Sequence, residues 1–123
     1  MTSIRILIVE DEADSANGLA RLLEYQGKQT TVAYDVPQAI EMLQQIDTDL
    51  VIIDLHLPGM NGWELLQAIQ KNPNFSQIST LAVTAFHSNI VERDALAAGF
   101  DGYLPKPLIP IAVMAEIDRI VGH

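Results

Sequence analysis

Acidic side chains follow two apolar runs of this 123-residue chain, and a lysine near its end complements them. Residues 4–9 are followed by Glu10 and Asp11, and residues 50–53 are followed by Asp54. Carboxylates hold divalent cations, and a carboxylate becomes a competent nucleophile once its repulsion by an incoming phosphoryl group is neutralised. An ammonium group pairs with phosphate oxygens. The acids together with Lys106 therefore predict a site that handles a cation and a phosphoryl group.

Short β-rich runs alternate with amphipathic segments along the whole chain. The predicted strands are residues 4–9, 29–34, 50–53, 80–83 and 102–104, and the predicted helices are residues 13–26, 36–46, 63–71, 89–98 and 110–121. This alternation predicts a parallel sheet with helices on both faces. The first and third runs are apolar almost throughout, as expected of central strands, whereas Thr30 and Thr31 favour an edge position for the second. Right-handed crossovers would bring the acidic strand ends together at one rim.

Residues that favour helix ends stand at the predicted boundaries. Gly27 follows the first helix as a stop signal, and Gly99 follows the fourth. Ser88 is the expected N-cap of the fourth helix, and Pro110 suits the first turn of the fifth.

The composition restricts the class of protein. A hydrophobic content of 49% with 19% charged residues is typical of a compact domain, and we expect residues 1–123 to form one domain. A net charge of −9 argues against direct contact with nucleic acid or an anionic membrane. The chain has no cysteine, no signal-peptide pattern and no apolar run near the ~20 residues that span a bilayer. We therefore expect a cytoplasmic protein.

The motifs, taken in order, resemble those of a response-regulator receiver domain over essentially the full chain. The segments that carry the resemblance are residues 9–12, Asp54 with residues 57–62, Thr84 with Ala85, residues 97–99 and residues 101–107. The resemblance implies an α/β, flavodoxin-like (βα)5 three-layer sandwich, with a parallel five-stranded sheet in the order 2-1-3-4-5. It also implies a phosphoacceptor signalling protein of a two-component or phosphorelay system. Such a protein is not a classical enzyme, although it assists its own phosphorylation and dephosphorylation.

The resemblance assigns roles to the acidic residues. Asp54 would be the phosphoacceptor, with a histidine kinase or a histidine phosphotransfer protein as donor. Mg²⁺ would be the cofactor, bound directly by Asp11, Asp54 and the main-chain carbonyl of His56, with Glu10 acting largely through water. Glu10 replaces an aspartate that many receivers have, and its longer side chain leaves its reach open. Clustered carboxylates without a cation should also show raised proton affinity.

Three further residues receive roles from the same resemblance. Lys106 would pair with a phosphoryl oxygen and, before phosphorylation, with Asp54, and its bond to Pro107 would be cis. The Thr84 hydroxyl would donate to a phosphoryl oxygen while Tyr103 turns inward. This switch would change the face made by helix four, strand five and helix five, where a downstream protein target binds. Because little chain follows the last predicted helix, we expect no output domain.

Two less usual residues should flank the mouth of the site. Phe86, two residues after Thr84, is expected to hinder an in-line water and so to give a long-lived phosphoprotein. His56, two residues after Asp54, is expected to be an exposed polar rim residue. A metal-binding or phosphoaccepting role for its ring is the alternative.

Other readings of these residues share parts of the pattern. Asp54 could simply cap the following turn, and Thr84 and Tyr103 could be ordinary strand residues. A phosphatase with an aspartate nucleophile would carry that nucleophile after the first strand, with another aspartate two residues on, whereas position 56 is histidine. A flavin-binding protein of the same topology would need a hydroxyl- and glycine-rich phosphate cradle where residues 10–14 are mostly acidic.

Overall fold

A computed structural model of the protein describes residues 3–57 and 61–122, so that Pro58, Gly59 and Met60 of the turn motif lie outside it. The strands are β1 (Arg5–Val9), β2 (Gln29–Ala33), β3 (Leu50–Asp54), β4 (Ser79–Thr84) and β5 (Gly102–Pro105). The helices are α1 (Ala13–Tyr25), α2 (Val36–Gln45), α3 (Gly62–Lys71), α4 (Asn89–Ala98) and α5 (Pro110–Val121). Every predicted strand and helix is present, and no boundary differs from its predicted position by more than one residue.

The five strands form one parallel sheet in the order β2-β1-β3-β4-β5, which confirms the predicted fold class. All five residues of β3 are buried, and β2 lies at an edge, as its polar residues predicted. Val9 is in register with Ile53, and Asp54 with Val83. Because the strands are parallel, the residues after β1, β3 and β4 share one rim of the sheet.

The core consists of two layers, one on each face of the sheet. Successive strand side chains point to opposite faces, so Leu7 and Val9 pack in one layer while Ile6 and Ile8 pack in the other. The first layer also contains the buried side chains of α2, α3 and α4, and the second contains those of α1 and α5. The apolar character of β1 follows from this burial on both faces.

The helix boundaries have local causes. The Ser88 hydroxyl accepts a hydrogen bond from the Val91 N–H at 3.1 Å, which confirms the predicted N-cap. Gly99, directly after α4, has a φ of 118°, a left-handed conformation that favours glycine. Among the described residues, none of the helices combines the length and apolar content needed to cross a membrane.

Helix α4 has a smaller share in the core than the other helices. Within the described chain it buries Ala95 alone, whereas α1 buries Ala16, Leu19, Ala20 and Leu23. Two larger residues of α4, Ile90 and Leu96, are exposed. The helix therefore packs on the core through the small Ala95 side chain and the partly buried Val91.

Candidate functional site

Three carboxylates meet at the carboxyl rim of the sheet. Asp54 ends β3, and Glu10 and Asp11 directly follow β1, whose last residue is in register with Ile53. One oxygen from each of the three side chains lies within 4.8 Å of the others. Glu10 and Asp54 are only 6% and 5% exposed, while Asp11 is exposed. Among the described residues this is the one group of metal-ligating side chains close enough to share an ion, and its donors are all oxygens.

Lys106 lies against these carboxylates, as expected. Its ammonium group donates a hydrogen bond to Asp54 Oδ2 at 2.9 Å and also binds Glu10 Oε1. The Lys106 N–H donates to the Thr84 carbonyl at 2.8 Å, which ties the residue to the end of β4. The Lys106–Pro107 bond is cis, as the resemblance implied. The longer side chain of Glu10 thus reaches the lysine, a contact the sequence left open.

The pKa values of Glu10 and Lys106 are shifted at this rim, that of Glu10 in the predicted direction. Burial raises the pKa of the Glu10 carboxyl, and the Asp54 charge adds to that effect while Lys106 opposes it. Burial disfavours the ammonium form of Lys106, but the hydrogen bonds that it donates to Glu10 and Asp54 outweigh this effect and raise the pKa of the lysine. Lys106 therefore stays charged and offsets part of the negative charge of the acids.

The start of α3 is packed tightly against the backbone of Asp54. A Cβ atom on Gly62 would lie 2.4 Å from the Asp54 carbonyl oxygen and 2.9 Å from Leu55 Cα, so only glycine fits. Asn61 and Glu64 form a reciprocal capping box, with hydrogen bonds of 3.1 and 2.9 Å. The sequence prediction began this helix one residue later and missed the cap. The spacing of an N-cap residue and a glutamate three positions on was the signal for it.

The Thr84 side chain is fully buried, and two residues engage its hydroxyl. Thr84 Oγ1 accepts a hydrogen bond from the Phe86 N–H at 3.0 Å, and His56 Nδ1 lies 3.2 Å from the same oxygen. The rings of His56 and Phe86 are in contact, with centroids 4.5 Å apart. His56 is exposed, as predicted, but its contact with Thr84 was not foreseen. Loop side-chain directions leave no periodic signal in a sequence.

Tyr103 points into the protein. It is only 6% exposed and belongs to the core layer beneath α4. Its hydroxyl forms a 3.0 Å hydrogen bond with His87 Nδ1, on the loop that precedes α4. Burial raises the pKa of the Tyr103 hydroxyl, and the charge of Glu92 adds to this effect. The contact with His87 was not predicted from the sequence.

Comparison with known proteins agrees with this architecture. The sequence model of the response regulator receiver domain family matches residues 6–118. The chain is 36% identical over 121 residues to the sensory transduction protein RegX3 of Mycolicibacterium smegmatis, covering 98% of this chain and 51% of the relative. It is 30% identical over 119 residues to an uncharacterized 14.6 kDa protein of Leptolyngbya boryana, covering 97% and 91% of the two chains.

A solved structure also resembles the chain. The CheY-like response regulator receiver domain protein of Methanospirillum hungatei JF-1 superposes with a TM-score of 0.84 at 28% identity, covering 96% of this chain and 93% of that one. The chain spans about half the length of RegX3, so the activity of that whole protein is not transferred to it. The family match covers nearly all of the sheet and helices described above. This chain belongs to the response regulator receiver domain family.

Proposed function

We propose that the chain is a phosphoacceptor in a two-component or phosphorelay system, with Asp54 as the residue that is phosphorylated. Receiver domains are signalling proteins rather than classical enzymes, and response regulators interact with histidine kinases and downstream targets. The observation that carries the proposal is the environment of Asp54. Its buried carboxylate lies 2.9 Å from the Lys106 ammonium and within 4.8 Å of oxygens of Glu10 and Asp11.

The proposed reaction is a transfer from a phosphohistidine of a histidine kinase or phosphotransfer protein. One oxygen of Asp54 attacks the phosphorus, forming a P–O bond as the P–N bond to the donor imidazole breaks. The imidazole leaves with the electron pair of that bond and takes up a proton. Lys106, already hydrogen-bonded to Asp54, moves its contact to a phosphoryl oxygen, and the Thr84 hydroxyl donates to another. The same residues assist the later hydrolysis of the acyl phosphate.

We propose Mg²⁺ as the cofactor of this site. The clustered donors are all oxygens, which suits Mg²⁺, an ion that takes few protein carboxylates and keeps several waters. Asp11, Asp54 and the main-chain carbonyl of His56 would hold the ion, and Glu10 would act through water. When bound, the ion supplies positive charge that offsets the repulsion between the carboxylates and a phosphoryl group.

The proposed output is a change in the surface made by α4, β5 and α5. Thr84 and Tyr103 would form the switch, because one lies at the phosphorylation site and the other beneath α4. Exposed apolar side chains along this surface support a protein target, namely Ile90, Leu96, Ile109 and Ile111. The net charge of −9 disfavours direct binding to nucleic acid. A cysteine-free signalling domain suits the reducing cytoplasm, where we propose that residues 1–123 act as a single receiver unit.

Intact-mass measurement after incubation with acetyl phosphate and Mg²⁺ tests this function. We expect the wild type to gain the mass of one phosphoryl group and the Asp54→Asn variant to gain none, because an amide lacks the nucleophilic oxygen. Asp14→Asn is the matched control, since Asp14 is exposed in the first turn of α1 and lies outside the acidic cluster. It should be modified like the wild type. An unmodified wild type, or full modification of Asp54→Asn, would refute the assignment.

A further inference from the structure

We propose that His56 is a positioning residue that holds the Thr84 hydroxyl and thereby disfavours the phosphorylated state of Asp54. Its imidazole binds the Thr84 hydroxyl in the unphosphorylated protein and must release it before that hydroxyl can reach a phosphoryl group. The inference rests on the proposed function, because it concerns the same reaction. In the proposed reaction the His56 imidazole is a second acceptor, which competes with the phosphoryl group for the proton of the Thr84 hydroxyl.

His56 lies between the two functional side chains, Asp54 and Thr84. Its main-chain N–H donates a hydrogen bond to Asp54 Oδ1 at 2.9 Å, and its ring nitrogen Nδ1 lies 3.2 Å from Thr84 Oγ1. The residue therefore contacts the proposed phosphoacceptor through its backbone and the proposed phosphate ligand through its side chain.

A contact with Phe86 holds the His56 ring in place. The ring of Phe86 packs on the imidazole with centroids 4.5 Å apart and an angle of 51° between the planes. Both side chains are exposed, Phe86 by 65%, and each ring covers part of the other. Because Phe86 also binds Thr84 Oγ1 through its N–H, the three residues form one connected group.

The Thr84 hydroxyl has two neighbours at hydrogen-bond distance, the Phe86 N–H and His56 Nδ1. Thr84 Oγ1 already accepts the Phe86 N–H at 3.0 Å, and a hydroxyl has a single proton to donate. Thr84 is 0% exposed, so that proton needs a partner within the protein. With the ring proton on Nε2, His56 Nδ1 accepts it. This is the same proton that Thr84 would donate to a phosphoryl oxygen.

The consequence is a bias toward the unphosphorylated state. Replacing His56 with a side chain that cannot accept a hydrogen bond leaves the buried hydroxyl unpaired until a phosphoryl group arrives. His56→Leu keeps an apolar surface for Phe86 and should therefore bind the phosphoryl analogue beryllofluoride about three- to tenfold more tightly than the wild type. His56→Asn should bind it like the wild type, because the amide oxygen can take the position of Nδ1.

A double-mutant cycle tests the inference, with the dissociation constant of beryllofluoride measured calorimetrically in the presence of Mg²⁺. The four proteins are the wild type, His56→Leu, Thr84→Val and the double variant. If His56 acts through the hydroxyl, the gain from His56→Leu disappears in the Thr84→Val background.

The outcomes separate this inference from the function on which it rests. A wild type that binds no beryllofluoride would overturn both. A wild type that binds it, with His56→Leu binding equally or more weakly, would overturn only the role of His56. The same holds if the gain persists in the Thr84→Val background, because the effect would then not pass through the hydroxyl.

Discussion

At the scale of single residues, Lys106 has a double contact that shapes the site. Its ammonium binds both Glu10 and Asp54, and the two carboxylates are almost fully buried. An aspartate at position 10 would have a shorter reach than the glutamate that stands there. The additional partner means that Lys106 remains paired when its contact with Asp54 is given up. A buried charge left without a partner is strongly destabilising, so this retained pairing matters.

Phe86 is the residue that we expect to control the lifetime of the phosphoprotein. Its exposed ring packs on His56 and its N–H binds the Thr84 hydroxyl, so we expect the ring to hinder water that approaches an acyl phosphate on Asp54. Phe86→Ala should speed dephosphorylation by up to about tenfold, which corresponds to 1.4 kcal/mol of barrier. The rate is measured as loss of phosphoprotein mass after the donor is removed.

A matched control separates hindrance of water from general loss of apolar surface. Ile90→Ala removes an exposed apolar side chain from α4, the helix that follows the loop containing Phe86. This substitution should leave the rate unchanged. An unchanged or slower rate in Phe86→Ala would count against the role of the ring.

The site was predictable where its residues follow strands. Glu10, Asp11 and Asp54 each stand at the end of an apolar run, and parallel strands bring such ends to one rim. The contacts of His56 and His87 were not predictable, because they depend on the direction of loop side chains. The placement of Lys106 could be expected only from the family resemblance, since a lysine before a proline is usually a solvated loop residue.

At the scale of elements, the packing of α3 on β3 depends on Gly62. We expect Gly62→Ala to destabilise the protein by about 1–3 kcal/mol, because the added methyl group would overlap the backbone of Asp54 and Leu55. Urea unfolding measures this difference.

Gly18→Ala is the control for the same substitution. Gly18 lies inside α1 with nothing within 4 Å of an added Cβ, so alanine should stabilise the protein by about 0.5–1 kcal/mol. Equal effects of the two substitutions would show that helix propensity, and not the close approach to Asp54, decides the outcome at position 62.

The elements themselves were predictable because apolar periodicity follows burial. The amphipathic segments and apolar runs gave every helix and strand to within one residue. The short 3₁₀ turn at Pro73–Phe75 was missed, since three residues are too few to show a period. The prediction also omitted Gly62 from α3, because glycine is a poor helix former and its place there is set by tertiary packing.

At the scale of the whole molecule, the two rims of the sheet differ in character. The carboxyl rim gathers acids that repel one another, whereas the amino rim holds an ion pair between Arg5, which opens β1, and Asp49, just before β3. Asp49 accepts hydrogen bonds from the Arg5 N–H at 2.9 Å and from its guanidinium at 3.2 Å. This contact joins two neighbouring strands away from the site.

The amino-rim contact should make stability depend on pH. The hydrogen bond from the Arg5 side chain lowers the pKa of Asp49 below its usual 3.8, although burial opposes it. A carboxyl with a lowered pKa contributes stability that is fully present above 3.8 and is lost as the pH falls through its folded value. Asp49→Asn should therefore be less stable than the wild type at neutral pH, and the difference should shrink in acid.

Urea unfolding of both proteins over this pH range checks the expectation. Asp47→Asn is the control, because the Asp47 side chain is 90% exposed and contacts Arg5 only at 3.4 Å. It should have little effect at any pH. A stability difference for Asp49→Asn that stays constant from neutral to acid pH would rule out the charge as its cause.

The whole-molecule arrangement was only partly open to prediction. Alternating strands and helices indicated a parallel sheet, and the polar residues of β2 indicated its edge position. Periodicity does not distinguish one order of strands from another, so the order 2-1-3-4-5 was supplied by the family resemblance. The ion pair between Arg5 and Asp49 was not foreseen, because oppositely charged residues 44 positions apart give no local signal.

The small buried surface of α4 has a mechanical consequence. Sliding this helix would disturb Ala95 and the partly buried Val91, whereas sliding α1 would empty the space of four buried side chains and leave voids in the core. We therefore expect a shift of α4 to cost less free energy than the same shift of α1. A partner protein would then meet a changed α4 surface, while the strands that position the acidic residues do not move.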